Sequence, residues 1–280
     1  MSRSSVRWKK LLYLRQPFPD NYTDTSFLDQ LRRNTTVAKY SYLKLVHDFS
    51  LVAFYCLLLL LVNVNFSAIY MNLWNPHVPT WLSSFISFIL VCLDATFRSR
   101  KRSFMLYMII CMLLLVFSPV LRSLTQSTSL DSIWVLLLIL TILTAIFHDY
   151  SLDLTADYRN ITSTNMSFAN SIVLASRLPT SMSVFSFLVF SIEVTVFVPI
   201  IDFYLRKKLL SGHFVAMITV FVTVAWMIYR VHGPVFLGIY AFGLFGMLVC
   251  LPVYFIFLQR YKNELQGPWD TAKPVLKSTP

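Results

Sequence analysis

The sequence predicts an all-α, polytopic transmembrane helix bundle of about eight spans with both termini in the cytosol. Three observations predict it. Of 280 residues, 56% are hydrophobic and 13% charged, with a mean hydropathy of +0.64, whereas an average soluble domain is roughly 25% charged. The apolar residues fall in runs of about 20, the length a helix needs to cross a hydrocarbon core of ~30 Å. Lys and Arg gather in alternate gaps between those runs, the asymmetry that sets orientation in a membrane.

Seven runs are long and apolar: 49–72, 79–97, 104–121, 130–148, 183–204, 213–230 and 234–258. An eighth, 161–179, carries Ser163, Ser167, Asn170, Ser171 and Ser176 among Phe168, Ile172, Val173 and Leu174. With eight spans and a cytosolic N-terminus, the cytosolic side receives nine Lys/Arg from the N-terminal arm and four at Arg98, Arg100, Lys101 and Arg102. It also receives Arg159, three at Arg206, Lys207 and Lys208, and four in the tail. That is 21, against Arg122, Arg177 and Arg230 outside. Omitting the eighth run inverts everything after it, and the split falls to 16 against 8. The run is too polar to face lipid, so it is expected at the centre, its hydroxyls bonding across helix interfaces. A re-entrant segment buried in protein is the alternative. The expected organisation is a basic cytosolic arm with an interfacial segment (1–48), the bundle (49–258) and a cytosolic tail (259–280).

The net charge of +11 would suggest nucleic acid in a soluble protein, but here the cations flank apolar runs and face anionic headgroups. Cys56, Cys92, Cys111 and Cys250 lie inside those runs without metal-ligand spacing and read as small core residues, so neither a metal nor a disulfide framework is expected. The run beginning near Phe49 follows a long polar stretch and is expected to act as a signal anchor. Of five N-x-S/T sequons, only Asn65 is expected on the lumenal side.

Several motifs carry possible chemistry. Arg7-Trp8-Lys9-Lys10-Leu11-Leu12-Tyr13-Leu14-Arg15 mixes cations with aromatic and aliphatic residues, as a headgroup-plane helix or an ordinary basic flank would. The following Gln16-Pro17-Phe18-Pro19-Asp20-Asn21-Tyr22 cannot be helical, because two prolines fix an extended path and the Asx residues favour turns. It is a shaped surface, and with Trp8 forms a candidate partner-docking element. His148 and Asp153 have the H-x4-D spacing of an acyltransferase pair, in which a carboxylate orients a histidine base. That coincidence arises by chance in roughly one chain in five of this composition, and the plainer reading of His148, Asp149 and Tyr150 is a polar helix end at the cytosolic interface. Glu193 falls near the middle of its span. An ionisable group there is functional, or is protonated and hydrogen-bonded to a neighbouring helix, and the latter is favoured because no intramembrane cation faces it. Gly238, Gly243 and Gly246 give the last span a small-residue strip suited to helix packing. No D-x-D, Gly-rich phosphate loop or soluble stretch large enough for a nucleotide-sugar fold is visible. No cofactor is expected.

Four blocks together resemble a known family: WKKLLYLRQPFPDNYTDTSFL from Trp8 to Leu28, His148-Asp149-Tyr150, Leu174-Ala175-Ser176-Arg177-Leu178-Pro179, and Gly267-Pro268-Trp269-Asp270. The chain is similar to the PIG-C type subunit of phosphatidylinositol N-acetylglucosaminyltransferase, fungal form by length. The resemblance implies an endoplasmic reticulum complex that moves GlcNAc from UDP-GlcNAc to phosphatidylinositol on the cytosolic face, the first step of GPI-anchor synthesis. It also implies that the sugar-nucleotide chemistry belongs to a separate PIG-A type subunit. The family brings no established catalytic residues. His148, Asp149, Tyr150, Asn170, Ser176, Arg177 and Glu193 are therefore candidates for lipid contact or assembly. A membrane acyltransferase using His148 and Asp153, or a lipid transporter with broken, repeated spans, are the other classes.

The charge split makes a direct prediction. Reporter fusions after residues 155 and 210 should both score cytosolic, and a lumenal score at 210 would favour seven spans.

Overall fold

The computed structural model describes residues 13, 15–19, 22, 32–33, 40–93, 100–125, 128–150, 160–208, 210–262 and 265–266. Trp8, Asp20, Asn21, Asp153 and the Gly267–Asp270 block lie outside them. Two compact units are distinguished, one made from the chain ends (Met1–Tyr42 and Val253–Pro280) and one from Leu43–Pro252.

Among the described residues eight helical rods follow one another, one in each of the eight runs. They are α1 (Tyr42–Tyr70), α2 (His77–Leu93), α3 (Arg100–Ser123), α4 (Leu130–Ile146), α5 (Ile161–Ala175), the rod of α6 (Ser181–Ile192) and α7 (Val198–Lys208), α8 (Leu210–His232), and the rod of α9 (Pro234–Phe245) and α10 (Leu251–Gln259). The two compound rods are each continuous through one π-helical turn, Glu193–Phe197 and Gly246–Cys250. Five rods are long and apolar enough to cross a membrane: Tyr42–Tyr70, Met105–Ser123, Ser181–Lys207, Ser211–His232 and Pro234–Gln259. Asp131–Ile146 is apolar but shorter. At 15 residues, α5 is about 22 Å long, short of the hydrocarbon core.

Local chemistry sets the ends. Ser129 caps α4 and Thr180 caps α6, each side chain accepting from the backbone N–H three residues on. Gly233 breaks α8 from α9 with φ +87°, a conformation that favours glycine, and Pro234 supplies the preset first turn of α9.

Within Leu43–Pro252, α1 and the α6–α7 rod form the centre: 61% of the most apolar window of each is buried, against 11–17% for α3, α8 and the last rod. Phe54, Leu57, Leu58, Val184, Phe187 and Leu188 are the packed heart. The helices run alternately up and down. Ser118 near the end of α3 bonds the backbone at Ser181 where α6 begins, Thr144 near the end of α4 meets Ser163 near the start of α5, and Tyr240 of α9 reaches back to the Phe221 carbonyl of α8.

As expected, the serines and Asn170 of the run 161–179 are turned inward: Ser163, Ser167, Asn170, Ser171 and Ser176 are all buried. Two expectations are corrected. Cys250 is exposed and Cys56 and Cys111 half-buried, so the thiols are not uniformly core residues. A Cβ added at Gly238, Gly243 or Gly246 would meet nothing within 4 Å, so among the described residues no other helix packs on that strip. The sequon at Asn65 is closed, since its side chain is buried and its Oδ1 accepts from Trp74 Nε1 at 3.2 Å.

In the unit formed by the chain ends, Arg32–Arg33 (β1) pairs antiparallel with Leu265–Gln266 (β2), Arg32 opposite Gln266. Within the expected docking element the described residues form a turn. Tyr22 N–H donates to the Pro19 carbonyl at 2.9 Å, and the Phe18 and Tyr22 rings lie 4.4 Å apart, so Gln16, Pro17, Phe18, Pro19 and Tyr22 present a compact aromatic knuckle.

Candidate functional site

The candidate residues predicted from sequence do not converge on one site. Those of Leu43–Pro252 fall into clusters at three levels of that bundle, joined by residues the sequence did not mark, while the described docking residues belong to the chain-end unit.

At one end, His148 lies just past α4. Its ring stacks on Tyr55 of α1 with centroids 3.4 Å apart, and Tyr150 is tilted against it at 4.8 Å. The Asn160 amide donates to His148 Nδ1, while Asn160 Oδ1 accepts the backbone N–H of Asp149 at 3.3 Å. Ser163 links the cluster to α4 by donating to the Thr144 carbonyl at 2.8 Å, and bonds Tyr55 Oη at 2.8 Å. With Nδ1 accepting from Asn160, the uncharged ring carries its proton on Nε2. Such a ring is a fixed hydrogen-bond donor and a poor general base.

At the same end lies a network that the sequence reading missed. His213 of α8 sits between Ser50 of α1 (Nε2 to Oγ, 3.2 Å) and Asp202 of α7 (Nδ1 to Oδ1, 2.7 Å), and Arg206 donates to the other Asp202 oxygen at 3.0 Å. The order Ser–His–Asp matches a nucleophilic triad, but the hydroxyl of Ser50 donates to the His47 carbonyl at 2.6 Å. Ser50, Asp202 and His213 are also all buried. With its proton committed and no approach for a substrate, the trio clasps three helices together. Arg206, counted among the cytosolic cations, is tied to that clasp. Only the Asp202–Arg206 spacing of four on one helix hinted at it in the sequence.

At mid-height, Glu193 opens the π-helical turn and is 1% exposed. Three hydroxyls from two other helices donate to its carboxyl group: Ser83 to Oε2, and Ser84 and Tyr107 to Oε1, each at 2.6 Å. Glu193, expected to be protonated and hydrogen-bonded to a neighbouring helix, is thus hydrogen-bonded to two of them. Nearer the start of α6, Thr80 donates to the Ser186 carbonyl at 2.9 Å and Ser186 meets His77 Nδ1 at 2.8 Å, so the first turns of α2 are stitched to α6. Ser171 and Ser191 are bonded side chain to side chain. Asn170 donates to Thr141 Oγ1 at 3.3 Å, while its buried Oδ1 has no partner.

At the opposite end, Ser176 bonds Thr125 and Arg177 Nη2 donates to the carbonyls of Thr125 and Thr128 at 2.8 and 2.7 Å.

Long apolar rods on the outside, with polar side chains closed onto one another inside, define a helical membrane protein. A family profile described as phosphatidylinositol N-acetylglucosaminyltransferase matches residues 8–270. The chain is 33% identical over 286 residues to a human phosphatidylinositol N-acetylglucosaminyltransferase subunit, covering 96% of this chain and 93% of the relative. It is 31% identical over 286 residues to the GPI2 subunit of the same enzyme in Schizosaccharomyces pombe, covering 96% and 87%. With the Saccharomyces cerevisiae GPI2 subunit it shares 31% over 298 residues, covering 99% and 100%. No solved structure matches. The chain belongs to the GPI2 family of phosphatidylinositol N-acetylglucosaminyltransferase subunits.

The Glu193 cluster makes a stability prediction. An interhelical hydrogen bond in a membrane bundle averages roughly 0.6 kcal/mol, so Tyr107→Phe should cost about that much. Glu193→Leu, which strands three donors, should cost about 2 kcal/mol. Thermal unfolding in detergent should rank wild type above Y107F and Y107F above E193L; an unchanged melting temperature in E193L would refute the assignment.

Proposed function

We propose that this chain is a non-catalytic, membrane-embedded subunit of the endoplasmic reticulum complex that transfers GlcNAc from UDP-GlcNAc to phosphatidylinositol, the first step of GPI-anchor synthesis. The observation that carries this reading is the family match over nearly the whole chain, arm and tail blocks included. A scaffold role is supported by how the polar side chains are used. Glu193 is taken by three hydroxyls, Asp202 by His213 and Arg206, and His148 Nδ1 by Asn160. A glycosyl transferase must instead direct cations, helix N-termini or a metal at a diphosphate leaving group.

The eight-span arrangement with both termini cytosolic is supported by the eight rods and by the β1–β2 pairing, since an arm and a tail that share hydrogen bonds lie on one side of the membrane and imply an even number of crossings. In this arrangement the His148 cluster and Lys207 face the cytosol, where they stand ready to hold phosphatidylinositol beside the active site of a PIG-A type partner. The arm from Trp8 to Leu28, with its Pro19–Tyr22 turn, docks other subunits. An acyltransferase is disfavoured because His148 Nδ1, where an orienting carboxylate would bind, is held by an amide.

The test compares activity with assembly in membranes. Removing the chain should abolish GlcNAc-phosphatidylinositol synthesis, and deleting residues 8–28 should release partner subunits while the bundle stays inserted. His148→Gln, Asp149→Glu and Asp153→Glu should lower turnover only as far as they lower co-purification. Transfer by the purified chain alone, or an intact complex silenced by one of these substitutions, would overturn the reading.

A further inference from the structure

The end of the bundle that carries Arg177 bears a feature that neither the clasp nor the His148 cluster explains. Between α1 and α4 runs a slot in which Phe66 and Tyr70 face Ile133, Trp134 and Leu137, and Arg177, just past the end of α5, is the one charged residue in its wall. Phe66, Ile133 and Leu137 are buried, whereas Tyr70 and Trp134 are half exposed. An apolar, aromatic-lined slot in a membrane-facing wall suits a hydrocarbon chain and is a poor place for water.

The level of this slot can be read from its neighbours. Trp74 and Trp226 stack with centroids 6.2 Å apart, and the Arg230 guanidinium lies over Trp226 at 6.0 Å. Like Tyr70 and Trp134 of the slot, these are amphipathic aromatics, the residues that settle at headgroup depth. The slot therefore runs from headgroup level, where Arg177 stands, towards the hydrocarbon. It is also remote from His148: 15 positions separate Ile133 from His148, about 22 Å along a helix.

Arg177 is an incompletely used cation. Nη2 satisfies two backbone carbonyls, but among the described residues the buried Nε–H has no acceptor and no carboxylate forms an ion pair with the guanidinium. A guanidinium at headgroup depth without a counter-charge is a phosphate receptor.

We propose that this slot binds one anionic diacyl phospholipid, an acyl chain lying between α1 and α4 and the headgroup phosphate held at Arg177. The charge at the mouth and the apolar wall below it match the two halves of such a molecule, and a zwitterionic lipid would bring its own cation to the same place. The site is independent of the transferase reading, because it sits at the opposite end of the bundle from His148.

Native mass spectrometry of the full chain in detergent, titrated with phosphatidylglycerol or with phosphatidylcholine of the same chains, tests the proposal. Wild type should retain one phosphatidylglycerol at concentrations where phosphatidylcholine is stripped. Arg177→Gln should weaken that retention roughly ten-fold or more, the scale of losing one charge-assisted hydrogen bond, and Arg177→Lys should keep most of it. Leu137→Trp, which fills the slot without touching Arg177, should remove the bound lipid at an unchanged circular dichroism spectrum, and decides the matter if R177Q fails to fold. Equal retention of the two lipids by wild type, or undiminished phosphatidylglycerol on folded R177Q or L137W, would overturn the assignment.

Discussion

Hydrocarbon offers no water to a polar group, so each one drawn into a membrane bundle must find its partner within the protein. That constraint accounts for the arrangement of polar residues in Leu43–Pro252. The serines of α5 face α1, α4 and α6 rather than lipid, and Glu193 is met by hydroxyls from α2 and α3. His213 is held between a hydroxyl and a carboxylate from two other helices. Leu, Val and Phe pack no better against one another than against lipid tails, so they contribute bulk without dictating which helix meets which. The hydroxyl ladders supply that specificity, most clearly between α2 and α6.

How much of this was legible in the sequence depends on the range of the interaction. The eight apolar runs each contain a helix, because a span must satisfy its backbone locally and its length is set by the bilayer. The burial of Ser163, Asn170 and Ser176 was readable for the same reason, since a run that polar cannot face lipid. Glu193 was readable as hydrogen-bonded, but its partners were not: Ser83, Ser84 and Tyr107 are ordinary residues 86 to 110 positions away. The Ser50–His213–Asp202 clasp left almost no trace in the sequence, because its members lie on three helices at no characteristic spacing. The glycine strip failed as a packing signal among the described residues because small residues permit close approach without naming the partner.

The polar clusters also divide the labour between the ends. One end concentrates groups already committed to each other, Asp202 with His213 and Arg206, and His148 with Asn160 and Tyr55. The other leaves a guanidinium half used. Where its polar groups are engaged with one another the bundle holds its own helices together, while the exposed apolar faces of the outer rods are left for lipid.

The π-helical turn at Glu193 has a geometric consequence for the rod that contains it. A π turn accommodates one residue more than the α-helical turn it replaces, so everything beyond it is rotated by about 100°, one residue's share of an α-helical turn. The Ser181–Lys208 rod therefore presents two unrelated faces, one above the turn that meets α2, α3 and α5, and one below it that brings Asp202 to His213. Loss of a single residue anywhere in Glu193–Phe197 would straighten the rod into a regular helix that could still cross the bilayer. In it the two faces would be out of phase, and either the α2 and α3 contacts or the clasp at Asp202 would have to be given up.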